Sequence, residues 1–175
     1  ALVHEAGISG LMYKEDYKQQ SDFYKQAIAR KNELTSFLRE KNFSDLDGRP
    51  NVTIYTGMAS FTSPNTVKVV LPDEEIELQG KEIFINTGAT SIIPAIDGVK
   101  ESKHVYTSTN LLDLDILPRH LIIVGGGYIG LEFASMYAEF GSKVTILEGG
   151  SAFIPREDRD IADSVRKVLE KKGVE

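Results

Sequence analysis

The sequence predicts an α/β fold in which a parallel sheet with crossover helices accompanies a small antiparallel β-meander. Beyond Pro118 the pattern runs strand, helix, strand, helix, which is typical of parallel strands joined by crossover helices. Before Pro118, short runs with alternating apolar residues are separated by turn-forming residues, as in antiparallel hairpins. The change of pattern predicts a domain boundary near residue 118, with domains at 1–117 and 118–175.

Composition narrows the class of protein. The 175 residues are 41% hydrophobic and 26% charged, which suits one globular domain or two small ones. The net charge is −6 and the basic residues are interspersed with acids, so nucleic acid is not an expected partner. No apolar run approaches the roughly 20 residues of a membrane span, so we expect a cytoplasmic protein with no membrane partner.

Cysteine and histidine, two common kinds of metal ligand, are absent and rare respectively. The chain has no cysteine, which excludes disulfides, thiolate metal sites and thiol nucleophiles within these residues. The three histidines, His4, His104 and His120, lack the spacing of metal ligands. We therefore expect no metal site.

In the first predicted domain, a long amphipathic helix should begin after Ser21 as its N-cap. Its apolar face would comprise Phe23, Ala27, Leu34, Phe37 and Leu38. The runs VTIYT, TVKVVL and EEIELQ predict the meander, and EIFIN predicts one further strand, over Ile83 to Ile85. A short helix is expected from Thr109 to Ile116, capped by Ser108 and stopped by Pro118.

In the second predicted domain, continuous apolar runs predict strands at Leu121–Val124 and Lys143–Leu147. Between them a helix should end at Gly141, and another should follow the second strand. The apolar face of the first helix would comprise Ile129, Phe133, Met136 and Phe140, and that of the second Ile161, Val165, Val168 and Leu169.

Three glycines mark the turn between the first of these strands and its helix. Gly125, Gly127 and Gly130 stand in the order G-x-G-x-x-G, which is typical of a Rossmann-like dinucleotide-binding fold. The first glycine permits the turn, the second lets pyrophosphate approach the backbone, and the third lets helix and strand pack closely. Backbone N–H groups at Tyr128 and Ile129 would then meet the anion. The alternative is a tight turn that binds no ligand.

An acid at the end of the next strand completes this pattern. Glu148 lies 23 residues after Gly125, close to the ~20 expected for the carboxylate that binds the adenosine ribose. A carboxylate there would repel a 2′-phosphate, so NAD(H) is favoured over NADP(H), with Gly149 beside the nucleotide. Nearby Arg156 leaves NADP(H) open, and an ordinary solvent-facing acid is the alternative for Glu148.

The segment PRHLIIVGGGYIGLEFASMYAEFGSKVTILE resembles the nicotinamide-nucleotide domain of the pyridine nucleotide-disulfide oxidoreductases, the family of dihydrolipoamide dehydrogenase, mercuric reductase and glutathione reductase. The segment IFINTGATSIIPAIDGV resembles the second flavin motif of that family, and VYTSTNLLDLDILP resembles its connector between domains. The stretches LVHEA, FYKQAIARKNELTSFLREKNF and PREDRDIADSV most resemble a bacterial branch that confers reactive-chlorine resistance and is linked to copper reduction.

The resemblance implies roles that the residues alone do not establish. Residues 1–117 would be the later part of an FAD-binding domain, and 118–175 the first half of an NAD(H)-binding domain, so the fold would be truncated. Thr87, Gly88 and Ala89 would lie against FAD. Tyr128 would be the gate at the nicotinamide, and Glu132 the acid facing the flavin. On the residues alone, a strand-ending turn and two solvated side chains are the simpler alternatives.

For an intact relative, the resemblance implies hydride transfer from NAD(P)H through FAD to a redox disulfide and then to a disulfide or metal-ion substrate. It also implies a homodimer formed through a domain not included in these residues. Because the cysteine pair is missing, we expect these residues alone to be inactive. A stand-alone NAD-binding sensor without redox chemistry is the alternative function.

Overall fold

The computed structural model describes residues 1–13 and 16–175, and these form two compact units. Unit 1 comprises Ala1–Thr35 with Ile93–Glu175, and unit 2 comprises Ser36–Ile92. None of the helices in the described ranges has the length and apolar character needed to cross a membrane. In chain order the elements are α1 (Leu2–Met12), α2 (Tyr17–Asp47), β1 (Met58–Ser63), β2 (Thr66–Val70), β3 (Glu75–Gln79), α3 (Ser108–Leu111), β4 (His120–Val124), α4 (Tyr128–Phe140), β5 (Lys143–Leu147) and α5 (Arg159–Lys171).

Unit 1 contains the predicted strand-helix-strand pattern. Strands β4 and β5 pair in parallel, with Val124 opposite Leu147. After α5, Val174 forms a parallel bridge to Val144 of β5. The predicted α/β fold class, with a parallel sheet and crossover helices, is therefore confirmed.

Helix α4 supplies much of the core of unit 1. Gly141 ends it in the left-handed conformation at φ 104°, as predicted. Ile129, predicted to be on the buried face, is instead 60% exposed, because the first turn of the helix projects beyond the packed core. The buried side chains of α4 are Leu131, Ala134, Met136, Tyr137 and Phe140.

An aromatic cluster fills the contact between α2 and α4. The ring of Tyr24 meets Phe140 edge-on at 5.0 Å, and its hydroxyl lies 2.8 Å from that of Tyr137. The Tyr24 hydroxyl also lies 2.9 Å from the carbonyl oxygen of Leu114. These buried hydroxyls thus have hydrogen-bond partners, as burial in an apolar environment requires.

Helix α2 differs from its prediction at both ends. It begins at Tyr17 rather than after Ser21, and Asp16 acts as the cap by accepting the backbone N–H of Gln19 at 3.0 Å. Its predicted apolar face is buried or half-buried only at Phe23 and Ala27. Leu34, Phe37 and Leu38 are exposed, because the core of unit 1 covers only the first half of the helix.

Helices α5 and α3 also depart from their predicted faces and bounds. In α5 the predicted Ile161 and Val168 are exposed, whereas Ala162 and Leu169 are buried. Helix α3 ends at Leu111 and is capped by Thr107, not Ser108. The helix ends where the hydroxyl of Tyr137 bonds to the carbonyl of Leu111, and the hydroxyl of Tyr24 bonds to the carbonyl of Leu114 just beyond it.

Unit 2 contains the antiparallel meander β1-β2-β3. Strands β2 and β3 lie where the sequence predicts them, but the first strand is Met58–Ser63 and not residues 52–56. The tight turn at Pro64 and Asn65 fixes this register, because it places Ser63 opposite Thr66. The predicted strand over 83–85 is absent, since no other described strand lies alongside to pair with it.

Candidate functional site

The glycine turn joins β4 to α4. Gly125 adopts φ 104°, which favours glycine, and its N–H donates to the carbonyl of Leu147 at 2.8 Å. A Cβ on Gly130 would lie 2.5 Å from the carbonyl oxygen of Gly125, so a larger residue would force helix and strand apart. A Cβ on Gly127 would meet nothing within 4 Å. The space in front of Gly127 is therefore open to a ligand.

The start of α4 presents backbone donors toward this open space. The N–H of Leu131 bonds to the carbonyl of Gly127 at 3.0 Å, closing the first helical turn. Within the described ranges, no acceptor is found for the N–H groups of Gly127, Tyr128 and Ile129. Such unpaired donors and the positive end of the helix dipole favour an anion.

Glu148 faces the glycine turn. Its carboxylate accepts the N–H of Gly126 at 2.8 Å and the N–H of Gly150 at 2.8 Å. Hydrogen bonds from Gly150 first and Gly126 second hold the pKa of Glu148 below its ordinary value. The carboxylate is exposed and stays charged, and each oxygen keeps a lone pair that a ribose hydroxyl can use. Gly149 beside it is exposed, and a Cβ there would meet nothing within 4 Å.

Tyr128 begins α4 with a side chain that is 57% exposed. Its hydroxyl donates a hydrogen bond to the carboxylate of Glu157 in the loop after β5, and this bond raises the pKa of Tyr128. No sequence pattern identifies Glu157 as part of the site. A single acid 29 residues away in an irregular loop carries no motif, so only the folded loop reveals the contact.

The remaining predicted residues occupy separate places. Glu132 is exposed one helical turn after Tyr128. Thr87, Gly88 and Ala89 lie exposed in unit 2, where Gly88 adopts φ 75° and a Cβ on it would meet nothing within 4 Å. The structure thus brings together the glycine turn, Tyr128 and Glu148 in unit 1. The segment around Thr87 belongs to unit 2.

The histidines show no ligand cluster. His120 is hydrogen-bonded through Nε2 to the hydroxyl of Thr145 at 2.9 Å. Within residues 1–13 and 16–175, no group of three or more His, Asp or Glu side chains is arranged to hold a metal ion.

Comparison with known proteins identifies relatives of this chain. The family profile of the pyridine nucleotide-disulphide oxidoreductases matches residues 7–175. RclA of Escherichia coli (strain K12) is 52% identical over 160 residues, covering 91% of this chain and 36% of RclA. A dihydrolipoyl dehydrogenase of Acholeplasma laidlawii is 38% identical over 143 residues, covering 80% of this chain and 39% of that protein.

A solved structure agrees with these relatives. The Cu(II) complex of the HOCl-induced flavoprotein disulfide reductase RclA from Escherichia coli matches with a TM-score of 0.86 and 49% identity, covering 99% of this chain and 37% of that chain. The chain thus spans less than two-fifths of the length of RclA. On the profile, the sequence identity and the shared fold, the chain belongs to the pyridine nucleotide-disulphide oxidoreductase family.

Proposed function

We propose that the glycine turn and Glu148 bind NAD(H). The observation that carries the proposal is the position of the Glu148 carboxylate, which bonds to the backbone of the turn next to the bare N–H groups of α4. Pyrophosphate would accept hydrogen bonds from Gly127, Tyr128 and Ile129, and a ribose hydroxyl would donate to Glu148. The glycine turn and the adjacent Glu148 thus offer partners both for the pyrophosphate and for the ribose of a dinucleotide.

The charge of Glu148 supports NAD(H) over NADP(H). Because its pKa is lowered, the carboxylate is fully ionised near neutral pH. A 2′-phosphate placed there would meet a like charge, which costs on the order of several kcal/mol. Gly149 and Gly150 follow directly and bring no cation to offset this repulsion.

We further propose that these residues function within a longer FAD-dependent oxidoreductase, with residues 1–117 in its FAD domain and 118–175 in its NAD(H) domain. The exposed turn at Thr87, Gly88 and Ala89 leaves room for a flavin nucleotide, because a Cβ on Gly88 would meet nothing within 4 Å. Bound there, FAD would supply hydride acceptance from nicotinamide and passage of electrons to a disulfide. We also propose that this longer oxidoreductase is cytoplasmic and forms a homodimer.

Two side chains on α4 would take part in the proposed hydride transfer from nicotinamide to flavin. Tyr128 is exposed at the start of α4 and can cover or uncover a nicotinamide ring laid along the turn. Glu132 is exposed one helical turn further along α4, and from the resemblance we propose it as the acid that faces the flavin. The terminal acceptor would be a disulfide or a metal ion, as the names of the relatives mercuric reductase and flavoprotein disulfide reductase suggest.

A stand-alone NAD-binding sensor is the second candidate. Nucleotide binding is common to both functions, so the cysteine pair distinguishes them. A C-x4-C motif encoded immediately upstream of Ala1 would favour the oxidoreductase, and a coding sequence without such a motif would favour the sensor.

Substitution of Gly127 tests nucleotide binding directly. Gly127→Ala should leave the fold intact, because the new Cβ meets nothing within 4 Å, yet it should obstruct pyrophosphate. We expect NADH to bind roughly tenfold or more weakly, a change of about 1.4 kcal/mol. Calorimetric titration with NADH measures this, and circular dichroism checks the fold.

Gly7→Ala is the matched control for this test. It adds a methyl group in α1, where the nearest atom would be the Glu139 carboxylate at 3.7 Å, an ordinary contact. Its affinity for NADH should equal that of the wild type. Failure of the wild-type chain to bind NADH, or equal binding by Gly127→Ala, would contradict the proposed site.

A further inference from the structure

The loop between β5 and α5, residues 148–158, contains neither helix nor strand but has a defined shape. The guanidinium of Arg159 donates to three of its backbone carbonyls: Phe153 at 3.0 Å, Ile154 at 2.6 Å and Glu157 at 2.7 Å. Ile154 is buried and adopts a φ of 43°, which is uncommon for a β-branched residue. Because one guanidinium bonds to carbonyls before and after this bend, it holds the loop in the conformation that the unusual φ requires.

The loop lies directly against the glycine turn. At its start, the Glu148 carboxylate accepts the N–H of Gly126 through one oxygen and the N–H of Gly150 through the other, each at 2.8 Å. Further along the loop, the half-buried ring of Phe153 reaches the same part of the turn. A Cβ built on Gly126 would lie 3.0 Å from the Glu148 carboxylate and 3.6 Å from that ring. The ring and the carboxylate thus lie next to the same point of the turn.

We propose that Arg159 is a positioning residue for the adenosine half of the dinucleotide site. In the proposed mode of binding, Glu148 accepts a ribose hydroxyl, so the groups beside this carboxylate belong to the adenosine half. Arg159 acts on that half through the loop. It holds Phe153 against Gly126 and thereby limits the positions that the Glu148 carboxylate can take. This inference rests on the proposed NAD(H) binding.

The position of Arg159 in α5 supports a role outside the helix. It is the first helical residue, where a positive charge opposes the helix dipole, so stabilisation of α5 does not account for it. A guanidinium suits the loop because its planar fork reaches several acceptors at fixed angles, whereas lysine has one ammonium on a flexible stem. A loop that is ordered before the ligand arrives also costs less to bind than one that the ligand must order.

Substitution of Arg159 tests the inference in the 175-residue chain. Arg159→Met removes every donor and keeps a side chain of several methylene groups, and it should bind NADH about five- to tenfold more weakly. ADP-ribose, which lacks the nicotinamide, should lose affinity by the same factor, because the effect lies on the adenosine side. Arg159→Lys keeps the charge without the fork and should still bind NADH about threefold or more weakly. Calorimetric titration measures both ligands.

Arg166→Met is the matched control. Arg166 lies on α5 as well, is exposed, and pairs with Asp163 and Glu170 of its own helix. The substitution removes the same charge and should leave both affinities at the wild-type values. Circular dichroism checks the fold of each variant. If Arg159→Met does not fold, Arg159→Lys is the variant that tests the inference.

A spectroscopic measurement reports on the loop without nucleotide. The chain contains no tryptophan, so Phe153→Trp introduces a single fluorescent group at the loop position next to Gly126. Adding Arg159→Met to this variant should move the tryptophan emission to longer wavelength, because the released ring becomes more exposed to water. Adding Arg166→Met should leave the emission unchanged.

The outcomes separate this inference from the function on which it rests. If the wild-type chain binds NADH and Arg159→Met binds it equally well, Arg159 does not position the site and NAD(H) binding stands. Wild-type affinity in Arg159→Lys, an equal loss in Arg166→Met, a loss for NADH without one for ADP-ribose, or an unmoved tryptophan emission would each overturn the inference as well. If the wild-type chain does not bind NADH, the proposed function fails, and a positioning role at that site fails with it.

Discussion

The two ends of helix α4 have opposite environments. The last turn carries Tyr137 and Phe140, both fully buried against the ring of Tyr24 in α2. The first turn carries Tyr128 and Ile129, which are 57% and 60% exposed beside unpaired backbone donors. The buried end holds the helix in place, and the open end can therefore keep its donors free for a ligand.

Shortening a side chain at the buried end of α4 should have the largest effect on stability. Phe140→Ala removes a fully buried ring and should lower the free energy of unfolding by about 3–5 kcal/mol. Phe61→Ala, in unit 2, removes a ring that is half exposed and should change it by about 0.5 kcal/mol or less. Urea unfolding measures both variants. A similar loss from both would show that the aromatic cluster is not the main source of stability.

A change at the open end should alter cofactor choice and leave stability nearly unchanged. Glu148→Arg replaces a repulsive charge with one that attracts a 2′-phosphate, which should reverse the preference from NADH to NADPH and shift their relative affinity by on the order of several kcal/mol. Parallel titrations with NADH and NADPH measure the ratio. An unchanged ratio would show that Glu148 does not face the ribose.

Alkaline pH should lower the free energy of unfolding through the buried tyrosines, by less than the loss of the Phe140 ring. Burial raises the pKa of both Tyr24 and Tyr137 above the ordinary value of 10.0, so the folded chain keeps protons that the unfolded chain loses above that pH. Their contribution is therefore complete below pH 10 and declines as pH rises from there toward each folded-state pKa, by at most about 1.4 kcal/mol per pH unit for each tyrosine.

Tyr137→Phe separates this effect from other alkaline titrations. The variant keeps the bond from Tyr24 to the carbonyl of Leu114, and its stability should decline less steeply above pH 10. Tyr55→Phe removes an exposed tyrosine in unit 2 and should follow the wild-type curve. Urea unfolding between pH 8 and pH 11 would contradict the assignment if all three chains declined with equal slope.

Local patterns predicted the parts of the fold that are set by neighbouring residues. Strands β4 and β5, helix α4 and the stop at Gly141 follow from apolar runs and glycines, and the structure contains each of them. The first meander strand was misplaced because the turn at Pro64 and Asn65, rather than the apolar alternation of residues 52–56, selects the paired segment.

Contacts between distant segments could not be predicted in this way. The exposure of Ile161 and Val168 depends on what packs against α5, and spacing within the helix does not contain that information. The bond from Tyr128 to Glu157 depends on the loop shape that Arg159 imposes. The glycine turn and Glu148 could be proposed from sequence because a short, ordered pattern specifies both.

The connector before β4 is fastened by hydroxyl groups. Tyr17 donates to the carbonyl of Leu117 at 2.5 Å, Ser142 donates to that of Pro118 at 2.5 Å, and the guanidinium of Arg119 stacks 4.2 Å from the ring of Tyr17. One residue inserted between these contacts and β4 would shift the pairing register of β4 against β5 by one position. Since neighbouring strand residues point to opposite sides, such a slip would turn the inward side chains of β4 toward water.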